Sequence, residues 1–457
     1  MTGAIWYKEY MLKLRNTLSK KIESFPTLNE IELRPKDQQF VSIYTCGPTV
    51  YDYASIGNFS AYLMADLVKR YLKYLNYPVK HIINITDVGH LVADADVAGE
   101  DKLEQAAKKE GIDPAQIAEK YTKQFLADAD ALGITAEEWP KATDHIAEMI
   151  AIIEKLVKNN FAYEVQSGVY FDVTKSKHYG ALSGNSLEQL KAGARVEIHK
   201  DKKHPADFAL WKLNQPEHLQ QWDSPWGKGY PGWHIECSAM SMKYLGDQID
   251  IHTGGEDNIF PHHECEIAQS ESFSGKTPFV RFWLHRQFLT VDGQKMSKSL
   301  GNTYRLQDII DKGFEPADFR MLVLSAHYRT GVNFTWEAMK AARARRLNWK
   351  QMAVKHQNAG SVDILTSALN NDLNTSVAFA AIEAEPSADV LKAADAIFGL
   401  DLFTVAEISN EMIKKAEELD QARINNNYQL ADQIRAEIIK QGYEVTTAKS
   451  GTKLRRK

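Results

Sequence analysis

The stretch from residue 40 to residue 86 constrains the fold most. "FVSIYT" (40–45) is apolar and β-branched, the length of one buried strand, and Gly47-Pro48 stops it. Phe59, Leu63 and Leu67 then recur at four-residue spacing, as do Met64, Val68 and Leu72, which predicts a helix of about four turns. Pro78 follows, and "VKHIINIT" (79–86) reads as a second strand. Strand, helix and strand in so short a span make a βαβ unit, with parallel strands and a right-handed crossover.

The same alternation returns much later. "QIDIH" (248–252) reads as a strand and Gly254-Gly255 as a turn; a helix starts near His262, after Pro261, and "FVRFWLHRQFLTV" (279–291) reads as one further strand. What lies between breaks the pattern. Residues 100–158 are charged and mostly helical, and "FAYEVQSGVYFDV" (161–173) reads as a hairpin turning near Gln166-Ser167-Gly168. This block is an insertion into an α/β domain. Beyond Asp311 the pattern is helical, with amphipathic runs at 336–352 and 431–441, and the basic tail "AKSGTKLRRK" (448–457) reads as mobile. No internal repeat is visible.

Charge and cysteine content narrow the function. A net charge of −5 means that any nucleic-acid contact must come from local basic patches, such as Arg343-Arg345-Arg346 or the tail. Three cysteines in 457 residues cannot form a disulfide framework and fit a reducing compartment. No run of 18 apolar residues suggests a membrane span, and the N-terminus lacks the apolar core of a signal peptide, so the expected location is the cytoplasm.

Two segments carry chemistry. Cys237 ends "PGWHIEC" (231–237), and "FPHHECEIAQS" (260–270) follows about 25 residues later. On a helix His262 and Glu266 share a face, while His263 projects about 100° away. Cys46, Cys237, His262 and Glu266 could therefore converge as a zinc site of two thiolates, an imidazole and a carboxylate. Taken singly, each has a plainer reading: a cysteine buried as a small hydrophobe, a His–Glu pair at a solvated helix end. The second segment is "QKMSKSLGN" (294–302), a cationic loop with serines between its lysines and glycine on either side, suited to a polyphosphate. Gly57 at the start of the first helix lets backbone approach an anion. Asp257 in "TGGED" (253–257) follows a strand, where a ribose hydroxyl binds in dinucleotide folds.

Together, "TCGPTVYDYASIGN", "ITD", "GWHIECSAM", "DIHTGGEDNIFPHHECEIAQS", "KMSKSLGN" and "NNDLNTSVAFAAI" resemble cysteinyl-tRNA synthetase, a class I aminoacyl-tRNA synthetase, from Met11 to Lys457. The resemblance implies a Rossmann-type parallel-sheet catalytic domain split by an insertion and followed by a C-terminal α-helical bundle. The boundaries it implies are 1–135 and 226–312 for the catalytic halves, 136–225 for the connective insertion, and 313–457 for a linking region and anticodon-binding domain. It places one zinc on Cys46, Cys237, His262 and Glu266, and cysteine beside Gly47, Thr86 and Trp233. Pro48, Ser55, Gly57, Asn58, Gly255, Asp257 and Lys298 fall around ATP, with Lys295, Lys298 and Ser55 in the catalytic part. The implied partners are L-cysteine, ATP with Mg2+, and tRNA(Cys), and the implied state is a monomer. One departure stands out: the family's first signature begins with His, and here Ser55 stands in its place. The alternatives are a cysteine ligase of mycothiol synthesis, which lacks the long helical C-terminus, and a silent synthetase-derived RNA- or zinc-binding module.

Overall fold

The computed structural model describes residues 11–89, 101–192, 200–213, 218–297, 300–404, 410–448 and 451–456. A short hairpin of β1 (Lys13–Asn16) and β2 (Lys21–Ser24) precedes β3 (Val41–Thr45), the helix Ile56–Tyr74 and β4 (Val79–Ile83). These last three are the expected βαβ unit, paired in parallel from Val41↔Val79 to Thr45↔Ile83. The helix runs longer than the periodicity predicts because Ser55 and Asn58 form a capping box that starts it three residues before Phe59. Both of its apolar stripes are buried. One side lies on the sheet, and the helices Pro316–Leu324 and Ala388–Phe398 cover the other.

The insertion contributes β5 (Ala162–Val165), β6 (Gly168–Phe171), β7 (Phe208–Leu213) and β8 (Gly229–Pro231), an antiparallel sheet in chain order. Its first hairpin turns at the predicted place. Gly168 has φ +153°, and a Cβ there would lie 2.2 Å from the Trp211 carbonyl oxygen, so only glycine fits.

β9 (Ile249–Gly255) and β10 (Val280–Arg286) complete the parallel sheet in the order β10-β9-β3-β4. The run 279–291 is two strands rather than one. The chain leaves the sheet at Gln287, whose N–H donates to the Tyr328 carbonyl, and β11 (Leu289–Val291) then joins a separate sheet with β12 (Gln294–Lys295) and β13 (Val332–Phe334).

Helices at 306–311, 316–324, 336–355, 363–370, 375–384 and 388–398 pack onto the same compact unit, which ends at Leu402. Arg320 is fully buried within it, bonded to the Asp66 carboxylate and to the carbonyls of Phe398 and Leu132. All three arginines at 343–346 are engaged within the fold, Arg343 through a bond to the Gly313 carbonyl at 3.0 Å. Arg346 is fully buried against Asp318 and Glu315, and Arg345 makes two bonds, 2.6 and 2.9 Å, to Glu383.

A second compact unit runs over Phe403–Lys457. Its helices Asn410–Ile424 and Tyr428–Lys440 bury Leu419, Ile434 and Ile438 between them. The tail read as mobile is instead strand β15 (Gly451–Arg456), paired antiparallel with β14 (Tyr443–Ala448) and fastened by bonds from the Thr452 N–H and hydroxyl to Asp420. Among the described residues no helix is long and apolar enough to cross a membrane. The architecture is thus α/β with a parallel sheet, an inserted antiparallel sheet and a helical C-terminal region.

Candidate metal centre and nucleotide site

Four separate segments deliver the cluster that the sequence suggests. Cys46 follows the last residue of β3. Cys237 sits on the helix Trp233–Leu245, which starts straight after β8. His262 lies in the turn Ile259–His263, and Glu266 on the helix Glu264–Ser274 that grows from it. Cys46 Sγ is 3.8 Å from Cys237 Sγ and 3.6 Å from Glu266 Oε1. His262 Nε2 is 3.4 Å from Cys237 Sγ and 3.1 Å from Glu266 Oε1. A tetrahedral zinc with Zn–S of about 2.3 Å and Zn–N or Zn–O of about 2.0–2.1 Å needs edges of about 3.8 Å for S···S, 3.5 Å for S···N or S···O and 3.3 Å for N···O. The four donors stand close to those spacings, and all four residues together are grouped as candidate ligands.

His263 is nearer than an offset of about 100° suggests, because it stands three residues before Glu266 and i, i+3 side chains are neighbours on a helix. The only non-helical residue of the turn Ile259–His263 is Phe260 at φ −139°, ψ 133°, upstream of both histidines. His263 Nε2 lies 3.2 Å from Cys46 Sγ and 3.9 Å from Glu266 Oε1, and Cys46, His252, His263 and Glu266 form a second group of candidate ligands. Gly254 leaves room for this ring: a Cβ there would come within 2.7 Å of His263 Cε1.

Three further histidines surround the cluster. His252 Nε2 is 3.1 Å from Glu266 Oε2, His285 Nε2 is 2.8 Å from His263 Nδ1, and His234 Nδ1 is 3.0 Å from His262 Nδ1. Burial pushes the Glu266 carboxyl up, but His252 and His262 more than reverse this and hold it at about 2. Burial would lower His262, yet the Cys237 sulfur and Glu266 raise it to about 10. Burial likewise raises the Cys237 thiol, and the bond from Cys46 together with the charge of His262 brings it down to about 7. Burial and the neighbouring histidines drive His263 well below its usual range. Cys237 and Glu266 thus carry negative charge and His262 the balancing proton, while burial and the neighbouring Cys237 push the Cys46 thiol well up. A metal bound here would displace the protons of His262 and Cys46.

The residues expected around cysteine line one side of this cluster. The Gly47 N–H donates to Asn84 Oδ1 at 2.8 Å, and a Cβ on Gly47 would fall 1.5 Å from the Asn84 carbonyl oxygen. Asn84 Nδ2 donates to Thr86 Oγ1 at 3.1 Å, and the Thr86 hydroxyl donates to Glu236 Oε2 at 2.9 Å. The Trp233 ring lies 4.3 Å from that of His262.

Of the residues expected around ATP, Ser55, Gly57 and Asn58 lie at the start of the helix Ile56–Tyr74. The Pro48 carbonyl accepts from the Thr86 N–H at 3.0 Å. Ser55 and Asn58 are bound to each other as the cap. A Cβ on Gly57 would meet Met296 at 3.7 Å, so the arm of the lysine-rich loop crosses this point. The Gly255 N–H donates to Asn258 Oδ1 at 3.0 Å. Burial raises the Asp257 carboxyl, and the charge of exposed Lys295 partly offsets it. Lys298 lies outside the described residues.

Sequence reasoning missed Asn84, Glu236, His252 and His285. The last two fall inside runs read as strands, "QIDIH" and "FVRFWLHRQFLTV", but nothing local to either run marks them as facing the cluster.

Residues 32–344 match the family described as tRNA synthetases class I (C) catalytic domain. The chain is 44% identical to a protein of Chlorobaculum tepidum named cysteine–tRNA ligase, over 81% of this chain and 77% of that one. It is 41% identical to a protein of the same name from Treponema denticola, over 93% and 95%, and 39% identical to one from Chlamydia muridarum, over 97% and 99%. Among solved structures, Mycobacterium tuberculosis methionyl-tRNA synthetase in complex with methionyl-adenylate shares the fold, with a TM-score of 0.55 at 15% identity over 79% of this chain and 82% of that one.

Proposed function

The chain belongs to the cysteine–tRNA ligase family of class I synthetases, and on that premise we propose how its own residues carry out the reaction. The activity is cysteine–tRNA ligation. In the proposed course, the cysteine carboxylate attacks the α-phosphorus of ATP, giving cysteinyl-adenylate and pyrophosphate. The terminal ribose hydroxyl of tRNA(Cys) then takes the cysteinyl group from the adenylate.

The observation that carries the amino-acid site is the convergence of Cys46, Cys237, His262 and Glu266 at zinc-like spacings. These residues fit one zinc ion. Zinc held there supplies a soft Lewis acid that prefers a thiolate to a hydroxyl. Such a contact separates cysteine from serine by roughly 10⁴–10⁵, the range of sites built on one specific bond. Gly47 brings its backbone against the substrate, the Asn84–Thr86–Glu236 chain fixes the turn that presents it, and Trp233 walls the pocket. Catalysis on the phosphates is positioning and charge stabilisation, by the helix start at Gly57–Asn58 and by Lys295 and Lys298 of the loop, with Mg2+ accompanying ATP. Pro48, Gly255 and Asp257 shape the adenosine side. The location is the cytoplasm and the working unit a monomer.

The regions 1–135 and 226–312 form the catalytic halves in this reading, 136–225 the connective insertion, and 313–457 the linking and anticodon-binding part. Relatives named cysteine–tRNA ligase align over 93% and 97% of the chain, which supports tRNA over an amino sugar as acceptor. Cysteine-dependent exchange of pyrophosphate into ATP tests the first step, and charging of tRNA(Cys) the second. Exchange without charging, together with amide formation on an amino sugar, would overturn the assignment of the acceptor.

A further inference from the structure

The start of the helix Ile56–Tyr74 has a donor deficit at residue 55. The Ser55 hydroxyl donates to Asn58 Oδ1 at 2.8 Å and accepts from the Asn58 N–H at 3.3 Å, and the Ser55 N–H donates to the same Oδ1 at 2.9 Å. A serine hydroxyl has one proton to give. Here it points into the cap, so residue 55 has nothing left for a phosphate oxygen.

A cation stands beside that gap. The chain leaving the lysine-rich loop is fastened to the first turn of the helix, because the Tyr304 carbonyl accepts the Ile56 N–H at 2.9 Å. The next residue is Arg305. Its guanidinium lies 4.8 Å from the centre of the Tyr53 ring, two residues before Ser55. The ring is itself fixed edge-on by Tyr121 at 4.9 Å. The Arg305 side chain is 41% exposed, and its ion pair with Asp308 is long at 3.5 Å. Such a guanidinium sits on an aromatic shelf, weakly held and open to an incoming anion.

We infer that Arg305 supplies, in this chain, the cationic contact to the phosphates of ATP that residue 55 does not make. The inference rests on the nucleotide-site reading above. Arg305 and residue 55 then serve one developing charge, which predicts that their substitutions are not additive. The bland alternative is a clasp: Arg305 only holds the loop exit against Tyr53.

Single-turnover formation of cysteinyl-adenylate at saturating cysteine and ATP, in Arg305→Met, Ser55→His and the double variant, separates the two. The expected result is a loss of roughly 10²-fold in Arg305→Met, the size of one transition-state donor, shrinking to about threefold or less when residue 55 is histidine. Equal factors in both backgrounds, or no loss, would overturn the inference. Tyr53→Leu and Arg305→Lys decide it where Ser55→His is unstable: a clasp loses as much rate in Tyr53→Leu as in Arg305→Met, whereas the charge survives both Tyr53→Leu and Arg305→Lys. Cysteine binding by equilibrium dialysis stays unchanged throughout. A parent chain with no cysteine-dependent exchange would overturn the nucleotide site and Arg305 with it; an active parent with equal factors overturns Arg305 alone.

Discussion

The sulfurs of Cys46 and Cys237 lie 3.8 Å apart, 191 residues apart in sequence, and both are free thiols. A disulfide would bring them to about 2.05 Å. The observed spacing is instead the edge of a metal tetrahedron, which makes the pair the sharpest test of the zinc site. Cys237→Ala removes one thiolate and should leave well under one zinc per chain by atomic emission, while raising the cysteine concentration needed for adenylation. His263→Ala is the informative companion. A residue off the ligand face would leave zinc unaffected, but His263 Nε2 reaches Cys46 at 3.2 Å. The expected outcome is retained stoichiometry with metal affinity lowered about 10–100-fold in a chelator competition, as for a residue that orients a ligand. Full zinc in Cys237→Ala would sink the ligand set.

Why was that set legible in the sequence when its surroundings were not? Cys46, Cys237, His262 and Glu266 are reactive residue types at segment ends, where a strand or turn hands over to a helix, and local pattern marks such places. His263 was misjudged because only the i, i+4 partner of Glu266 was counted; at i, i+3 it is a neighbour too, and Cys46 at the end of β3 meets it from another segment. His252 and His285 depend on parallel pairing of β9 with β10 (His252↔Trp283, His285↔Gly254), which no local signal reveals. The split of 279–291 into two strands depends likewise on a distant partner, Tyr328. The βαβ unit was legible because its periodicities of 2 and 3.6 are local.

Ser55 is also a stabilising residue. Its hydroxyl and Asn58 close the capping box of a 19-residue helix that is buried on both apolar stripes. Ser55→Ala should cost about 1 kcal/mol, read as a lower urea midpoint with unchanged slope. Ser55→His should lose the same cap yet speed adenylation, most clearly where Arg305 has been replaced. A destabilised variant with a faster chemical step would show that residue 55 trades a cap against a phosphate contact. Equal stability in parent and Ser55→Ala would mean that the cap contributes nothing.

Stability should also fall with acid through His81. This ring is fully buried in β4, with Nε2 2.8 Å from Thr45 Oγ1, and burial above all pushes its pKa from 6.5 down to about 3. Between those values the unfolded chain binds a proton that the folded chain does not, so folding free energy is complete above about pH 6.5 and drains away as pH falls toward 3. At about 1.4 kcal/mol per unit, the loss by pH 4.5 is roughly 2–3 kcal/mol. In His81→Gln the titrating group is gone. The stability difference between parent and variant should shrink by about that amount from pH 7 to pH 4.5 in urea titrations. A constant difference would show that His81 titrates alike in both states.

The last prediction concerns where the chain can be cut. Residues beyond 330 do not all stand apart from the catalytic sheet. The Tyr71 hydroxyl donates to Asn370 Oδ1 at 2.7 Å, Arg320 holds the Phe398 carbonyl, and Asp372 accepts from the Arg15 N–H at 2.7 Å and the Tyr328 hydroxyl at 2.6 Å. Ending the chain near 330 would leave Arg320 with fewer partners and expose the back of the Ile56–Tyr74 helix. Breaking such buried polar contacts costs about 3–5 kcal/mol each where a charge is stranded. That truncation should therefore fail to fold. A cut after Leu402 removes only the unit Phe403–Lys457, which has its own core around Leu419, Ile434 and Ile438. The chain ending at Leu402 should keep cysteine-dependent pyrophosphate exchange within about threefold of the full chain. Its charging of tRNA(Cys) should fall well below that and lose part of its salt dependence, because fewer phosphates are neutralised. Exchange lost along with charging would mean that the second unit supports the active site itself. Charging retained in full would take tRNA recognition away from residues 403–457 and place it on the catalytic unit.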